Sequence, residues 1–335
     1  MISRFNSAYL FFSGLSITII LLAKISPAYF WGFGLLAFLI PFILAVHIAG
    51  LLSFSIIRNR VLFSSLVVLA IGINYIKYSV GFGQISKNAD PKPGKSLSIL
   101  THNLGSYSFD SEPTNHHYSQ MNFRQYDVIC FQEFVKSNVD STIQHFKKKA
   151  DIEDYNFVFT GKKMTPRNLG LITFSRYPIV NSGKIEFGFN SFNGVNYVDI
   201  KVHSDTIRVY NAHFKSYNLK EAVSWVNFIQ RIRSAIIERT VRTQEVLAHI
   251  SKAEHPVILA GDLNEHPYGY VYNQFINNLN DAISSTAYIL PQTISDFPVR
   301  IDYILVDKKM HVSDFGILNN VLISDHYPIY SLVEY

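Results

Sequence analysis

The first 85 residues contain no Asp or Glu, although five basic residues (Arg4, Lys24, Arg58, Arg60 and Lys77) fall there. The rest of the chain carries 25 basic and 25 acidic residues, so the whole formal charge of +5 belongs to the N-terminal quarter. A sequence pI near 9.0 is therefore no sign of a nucleic-acid surface, because the polar region has no basic excess to neutralise phosphates. Cysteine is nearly absent. A single Cys130 excludes an intrachain disulfide framework and leaves the redox compartment open. Only 16% of residues are charged and 48% are apolar, which excludes a disordered or fibrous chain.

Three uncharged apolar runs occupy the acid-free quarter, and they predict spans of about 5–23, 30–56 and 61–83 within an anchor of residues 1–83. A helix needs roughly 20 apolar residues to cross the hydrocarbon core. The third run reaches that length only if Lys77 snorkels to the headgroups beside Tyr75 and Tyr78. A cleaved signal peptide competes for the first run, but no small-x-small site is clear and two further runs follow. Arginines at 4, 58 and 60 predict a cytoplasmic face there, and three spans then put the C-terminal domain outside the cytoplasm. His47 in the second span is expected to be an ordinary interhelical or near-interface histidine. Residues 84–96, with Asp90-Pro91-Lys92-Pro93-Gly94-Lys95 at their centre, predict an extended linker.

Residues 97–335 are long enough for a core of their own. Short β-branched or aromatic runs predict strands at 97–101, 127–131, 157–160, 170–174, 197–202, 207–210, 256–260, 301–306 and 327–333. Residues 196–202 and 206–211 predict a hairpin. Helical spacing over 219–252 places Ala222, Val226, Ile229, Ile232, Ile236, Val246, Leu247 and Ile250 on one stripe, with Trp225 expected in the core. A shorter helix is predicted over 139–150, its Lys147-Lys148-Lys149 end favoured by the helix dipole. Strands mixed with helices on this scale predict an α/β domain of two sheets packed face to face with helices outside.

The strand ends carry the chemical information. Asn103 and Glu133 close the first two strands, Asn211 and His213 end a third, and Asp262 with Asn264 follow Val257 to Ala260. Asp302 opens Ile301 to Leu305, and Asp325-His326 precedes the last strand. Each residue alone reads as a solvated strand end or a turn. Together they converge on one rim if the strands share sheets, and that donor set suits a hard cation and a phosphate. His116-His117 and His266 show no zinc spacing, and the aromatic residues mark no stacking platform for bases.

The motifs Cys130-Phe131-Gln132-Glu133, Gly261-Asp262-Leu263-Asn264, Arg300-Ile301-Asp302-Tyr303 and Ser324-Asp325-His326, with weaker support from Ser175-Arg176-Tyr177-Pro178-Ile179, resemble the endonuclease/exonuclease/phosphatase, deoxyribonuclease I-like superfamily from about Leu97 to Tyr335. The resemblance implies a four-layered α/β/β/α sandwich and a hydrolase that cleaves phosphate esters with Mg²⁺, or with Mn²⁺ as an alternative ion. Roles follow from chemistry in agreement with it. Glu133 would ligate the metal, with Asn103 placing the metal or a phosphate oxygen and Asp325 beside it. Asp262 and Asn264 would orient the attacking water, Asp262 taking its proton. His326, held by Asp302, would contact the scissile phosphate. His213 would donate to the phosphate or the leaving oxygen, with Asn211 pointing the same way. The abasic-site nucleases usually carry Tyr at the place of His213, which favours the deoxyribonuclease, sphingomyelinase or phosphatase side. Residues 165–169 lack the carboxylate with which nuclease-like members can pair that histidine.

A membrane-tethered phosphodiesterase or phosphatase on a lipid headgroup or small phosphoester fits the neutral domain charge. An envelope nuclease on DNA or RNA would share the site, with Lys162, Lys163 and Arg167 as a local basic cluster that is otherwise a solvated loop. A non-catalytic binding domain would have lost part of the set. The expected partners are the bilayer and the phosphoester; no protein partner is evident.

Overall fold

The computed structural model describes residues 2–83, 95–105, 121–136, 139–164, 167–188 and 192–335. It divides into two compact units. The first comprises residues 1–81, 217–241 and 265–274, and the second comprises 82–216, 242–264 and 275–335.

In the first unit the apolar runs form helices α1 (Ile2–Leu22), α2 (Gly32–Leu36), α3 (Ile40–Ile57), α4 (Ser64–Ile71) and α5 (Ile73–Ser79). Two stretches, Arg4–Leu22 and Gly32–Ser53, are long and apolar enough to cross a membrane. The third run, expected as one helix, is bent by 72° between α4 and α5. Glycine at the break is the physical reason: Gly72 is a weak helix former, and a Cβ there would lie 2.7 Å from Leu44 Cδ2, so its bareness lets α3 approach. His47 is buried between Ser16 Oγ and Ser65 Oγ, 3.1 Å from each, the interhelical place expected of it.

In the second unit twelve strands build two six-stranded sheets among the described residues. They are β1 (Ser96–Asn103), β2 (Val128–Lys136), β3 (Asn156–Met164), β4 (Arg167–Ser175), β5 (Ile179–Glu186), β6 (Gly194–Val202), β7 (Asp205–His213), β8 (Val257–Asp262), β9 (Leu279–Asp281), β10 (Asp302–Asp307), β11 (His311–Ile317) and β12 (Ile329–Glu334). One sheet has the order β9-β10-β8-β7-β6-β5 and the other β11-β12-β1-β2-β4-β3. Each sheet is antiparallel except for one parallel pair near its centre, β7 with β8 and β1 with β2. Both members of a parallel pair end on the same edge, so each pair delivers two strand termini to one rim.

The core between the sheets is aliphatic, with Ile99, Val128 and Ile329 of one sheet against Val198, Val209, Ile258 and Ile304 of the other. Strands covered on both faces have no need for alternation, which is why β8 reads as an unbroken apolar run. Helix α6 (Val139–Lys149) covers the outer face of one sheet through Ile143 and Phe146 on Phe131 and Phe174. On the other outer face His249 of helix α7 (Trp225–Ile250) meets Tyr210 and Tyr197. The result is the predicted layering, α/β/β/α.

All nine predicted strands and the hairpin are present, whereas β5, β9 and β11 had no sequence signal, being polar or short. The first strand begins at Ser96, inside the expected linker, whose residues 84–94 lie outside the described part. The long helix starts at Trp225 because Ser224 Oγ caps it, accepting from Asn227 N at 3.1 Å. Ala222 therefore lies outside the helix, and Trp225, expected in the core, is exposed.

Gly261, at φ +142°, joins β8 to the rim, and a Cβ there would lie 2.0 Å from Ala212 O. Gly261→Ala should destabilise the fold by on the order of 3 kcal/mol, read as a lower melting temperature of the full chain in detergent.

Candidate active site

The parallel pairs fix three of the site residues. Asn103 ends β1 beside Gln132 of β2, and His213 ends β7 directly opposite Asp262 at the end of β8. Glu133 lies in a bulge of β2, where pairing with β4 skips from Phe131 to Phe134, and its φ of +53° re-aims the carboxylate out of the pleat. Asp302 begins β10 opposite Asp262, so two carboxylates face each other across one register step. An isolated bridge to Ile294 holds His326 just before β12.

Asp262 is the centre. Its Oδ2 accepts from Asn103 Nδ2 at 2.8 Å and Asn264 Nδ2 at 2.9 Å, and its Oδ1 accepts from Asn264 N at 2.8 Å. Two imidazoles flank the same Oδ2, His213 Nε2 at 3.8 Å and His326 Nε2 at 3.9 Å. These separations exceed a hydrogen bond, so each Nε2 can serve a reacting oxygen. Glu133 Oε1 lies 3.5 Å from His213 Nε2 on the more accessible side. His326 Nδ1 donates to Asp302 at 3.0 Å, which fixes the orientation of the ring and leaves Nε2 toward Asp262.

The charges are strongly coupled. Burial and the Asp302 charge push the Asp262 carboxyl up to about 6, against the opposing pull of His326, His213 and Asn103. For His326 burial works downward, but the charges of Asp302 and Asp262 and the Asp302 hydrogen bond outweigh it and raise the imidazole to about 10. The site thus holds two buried carboxylates against one imidazolium, an arrangement that a proton or a cation must balance. Among the described residues Asp262, Asp302 and His326 each offer an atom within 4.8 Å of the others, a group that could hold a metal ion. Glu133 and Asp325, both half-buried, add carboxylates to this oxygen-rich set, which fits a hard cation that keeps several waters.

Some expectations change. Asn211, expected to bind substrate, is fully buried between the sheets, its amide donating to Phe131 O and Ile172 O and accepting from Gln132. It clamps the sheets because an inward-facing amide midway between two backbones finds carbonyls before it finds solvent. Asn103 is spent on Asp262 and on Gly105 N, and the Asn264 amide donors on Asp262 and Phe214 O, so both position Asp262. Asp325 accepts from Ser295 N through its backbone, and its charge reinforces that of Asp302 on His326.

Sequence reasoning passed over three supports. His102, lowered to about 4 mainly by burial, is neutral and donates from Nε2 to His326 O at 3.0 Å. Ser324 Oγ donates to Asn103 O and accepts from His326 N, and Thr293 Oγ1 accepts from Asp302 N. His102 adjoins Asn103, and Ser324 belongs to the motif Ser324-Asp325-His326 without a role assigned to it, which was the available signal; Thr293 carried none. Residues 165–169, which contain no acid to pair with His213, lie partly outside the described residues, as do His116-His117 and the side chains of Lys162, Lys163 and Arg167. Among the described residues His213 Nδ1 has no hydrogen-bond partner. A cleft of about 360 Å³, lined by Phe159, Leu171, Phe192, Val195, Lys184 and Glu186 among others, adjoins His213, whose ring lies 6.3 Å from that of Phe192.

A model of the Endonuclease/Exonuclease/phosphatase family matches residues 100–326. No curated protein sequence matches the chain significantly. Among solved structures, an endonuclease/exonuclease/phosphatase family protein from Leptotrichia buccalis aligns with a TM-score of 0.53 at 18% identity, over 71% of this chain and 100% of that one. A mannosyl-6-phosphatase from Bacteroides thetaiotaomicron aligns with the same score, identity and coverage. D. rerio TDP2 complexed with a single strand DNA product aligns at 0.52 and 17% identity, over 72% of this chain and 99% of that one. These likenesses establish a mixed α/β deoxyribonuclease I-like fold.

Nitrogen-detected NMR of the metal-free protein should show His326 protonated beyond pH 8 and, in Asp302→Asn, titrating several units lower. The stability that this raised imidazole contributes is fully present below pH 6.5 and is lost as pH rises through about 10. An unchanged His326 titration in the variant would contradict the pairing.

Proposed function

Since the chain belongs to the endonuclease/exonuclease/phosphatase family, a family of metal-dependent phosphoesterases, we propose that it hydrolyses a lipid headgroup ester or small phosphoester while anchored in a membrane. The observation that carries the hydrolytic reading is the buried Asp262, Asp302 and His326 cluster with His213 and Glu133 at its border. Residues 1–83 serve as the anchor, 84–96 as the linker and 97–335 as the catalytic domain, facing away from the cytoplasm.

Glu133 and Asp325 are the residues that would hold Mg²⁺, or alternatively Mn²⁺, and the ion would supply charge screening and Lewis-acid polarisation of the ester. Asp262, held in place by Asn103 and Asn264, accepts the proton of the attacking water. His326, kept protonated by Asp302, donates from Nε2 to a phosphoryl oxygen as charge grows there. His213 donates from Nε2 toward the phosphate or the leaving oxygen. The cleft beside Phe192 receives the part of the substrate beyond the phosphate. Neutral charge over residues 86–335 and the apolar helices favour a lipid or small phosphoester over nucleic acid.

The full chain in lipid nanodiscs, with Mg²⁺ or EDTA, is to be offered phospholipids, inositol phosphates, plasmid DNA and RNA. Metal-dependent release from one of the first two is expected. Cleavage of nucleic acid alone would overturn the substrate and retain the chemistry. His326→Gln should cost roughly 10² to 10⁴ in rate. Glu133→Gln should raise the Mg²⁺ needed for half-maximal rate by about 10- to 100-fold.

A further inference from the structure

Helix α7 begins with apolar side chains that the fold does not bury. Val223 is 90% exposed, Trp225 74% and Val226 65%, with Trp225 stacked on Phe228 at 5.3 Å and 10°. Buried apolar residues pack along the same helix farther on, at Ala235, Ile236 and Val246. A capped helix start that places three large apolar groups in water is costly unless something covers them.

The same compact unit shows what lies beside this tip. Tyr217, before it, has its ring 6.3 Å from that of Phe38. Ile236, after it, sits against Gly34, where a Cβ would lie 2.8 Å from Ile236 Cγ2. Both contacts are with the first turns of the apolar stretch Gly32–Ser53. Tyr78 OH donates to Asn273 Oδ1 at 3.1 Å, so the end of the third run joins residues 265–274 of the unit. With the bent third run crossing as one span, the start of the second span and the end of the third belong to the same side of a bilayer, because each span reverses direction. The tip is therefore strung between two points held at one membrane surface, and the exposed Tyr29 and Phe30 of the connection between α1 and α2 share that side. Tryptophan flanked by aliphatic residues, with Lys220 and Arg233 nearby in sequence, is the composition of the headgroup boundary.

We infer that Val223, Trp225 and Val226 insert into the headgroup boundary of the bilayer that the N-terminal helices cross. The inference rests on those helices spanning a membrane. It adds an attachment within the region matched by the family model, twelve positions after His213.

The chain has two tryptophans, Trp31 and Trp225, so Trp31→Phe leaves Trp225 as the sole reporter and Trp225→Phe leaves Trp31. Each variant is reconstituted in phosphatidylcholine and phosphatidylglycerol vesicles whose acyl chains are brominated near the glycerol or deep in the bilayer. Trp225 should emit to the blue of the urea-unfolded protein, lose more emission to shallow bromines than to deep ones, and resist aqueous iodide. Iodide quenching of Trp225 while Trp31 is quenched by bromolipid would overturn the inference and leave the spans standing. A blue shift that grows with protein concentration and ignores bromine would assign the tip to a second copy of the chain and equally overturn it. Loss of bromolipid quenching at both tryptophans would remove the spanning reading and the inference with it.

Discussion

Burying one carboxylate opposite another is the constraint around which the second unit is organised. Asp262 and Asp302 lie across a single register step with almost no exposure, an arrangement that alone would expel one charge or force a proton onto it. Three neighbouring features offset it: amide donors from Asn103 and Asn264, an imidazolium at His326 and a second imidazole at His213. Each lies at a strand terminus or in the segment next to one. The parallel pairs in the two sheets therefore matter more than any single contact, since a strand run the other way would carry its polar terminus to the opposite edge.

Two devices convert those termini into a site. The bulge in β2 and the positive φ of Glu133 turn a side chain that would follow the pleat toward the accessible side of the rim. Gly261 lets β8 pass within contact of Ala212, which brings Asp262 level with His213. Behind them lies a polar layer of Gln132, Thr101, Asn211 and Thr173 that joins the sheets. Buried amides of this kind specify a register, because a slip by one residue would strand their donors among aliphatic side chains.

Much of this was legible from residue order. Apolar runs ending in Asn, Glu, His and Asp announced strands sharing a rim, and Asp302 with His326 emerged as the hydrogen-bonded pair expected of them. What stayed hidden has physical causes. Strand β5 is mostly exposed and reads as a polar loop, so its pairing with β6 was invisible. Asn211 and His213 share one face of β7, and no local pattern tells an amide that will meet carbonyls of the other sheet from a side chain that will meet substrate. His102 and Thr293 act through backbone atoms of residues distant in sequence, a relation that composition does not encode.

The apolar quarter shows the same limit from the opposite direction. Hydropathy over Val61 to Gly83 is that of a span, yet Gly72 divides it into two helices, since a residue without a side chain both weakens the helix and admits Leu44. Helical spacing likewise placed Val226 on the same stripe as Ile236, and only Ile236 finds a protein surface. Periodicity reports which residues share a face and is silent on what that face meets. The first unit combines helices of membrane-spanning length with residues 217–241. If the proposed anchoring holds, the uncovered start of α7 is no failure of amphipathic patterning, because one stripe would divide between the protein core and the headgroup boundary.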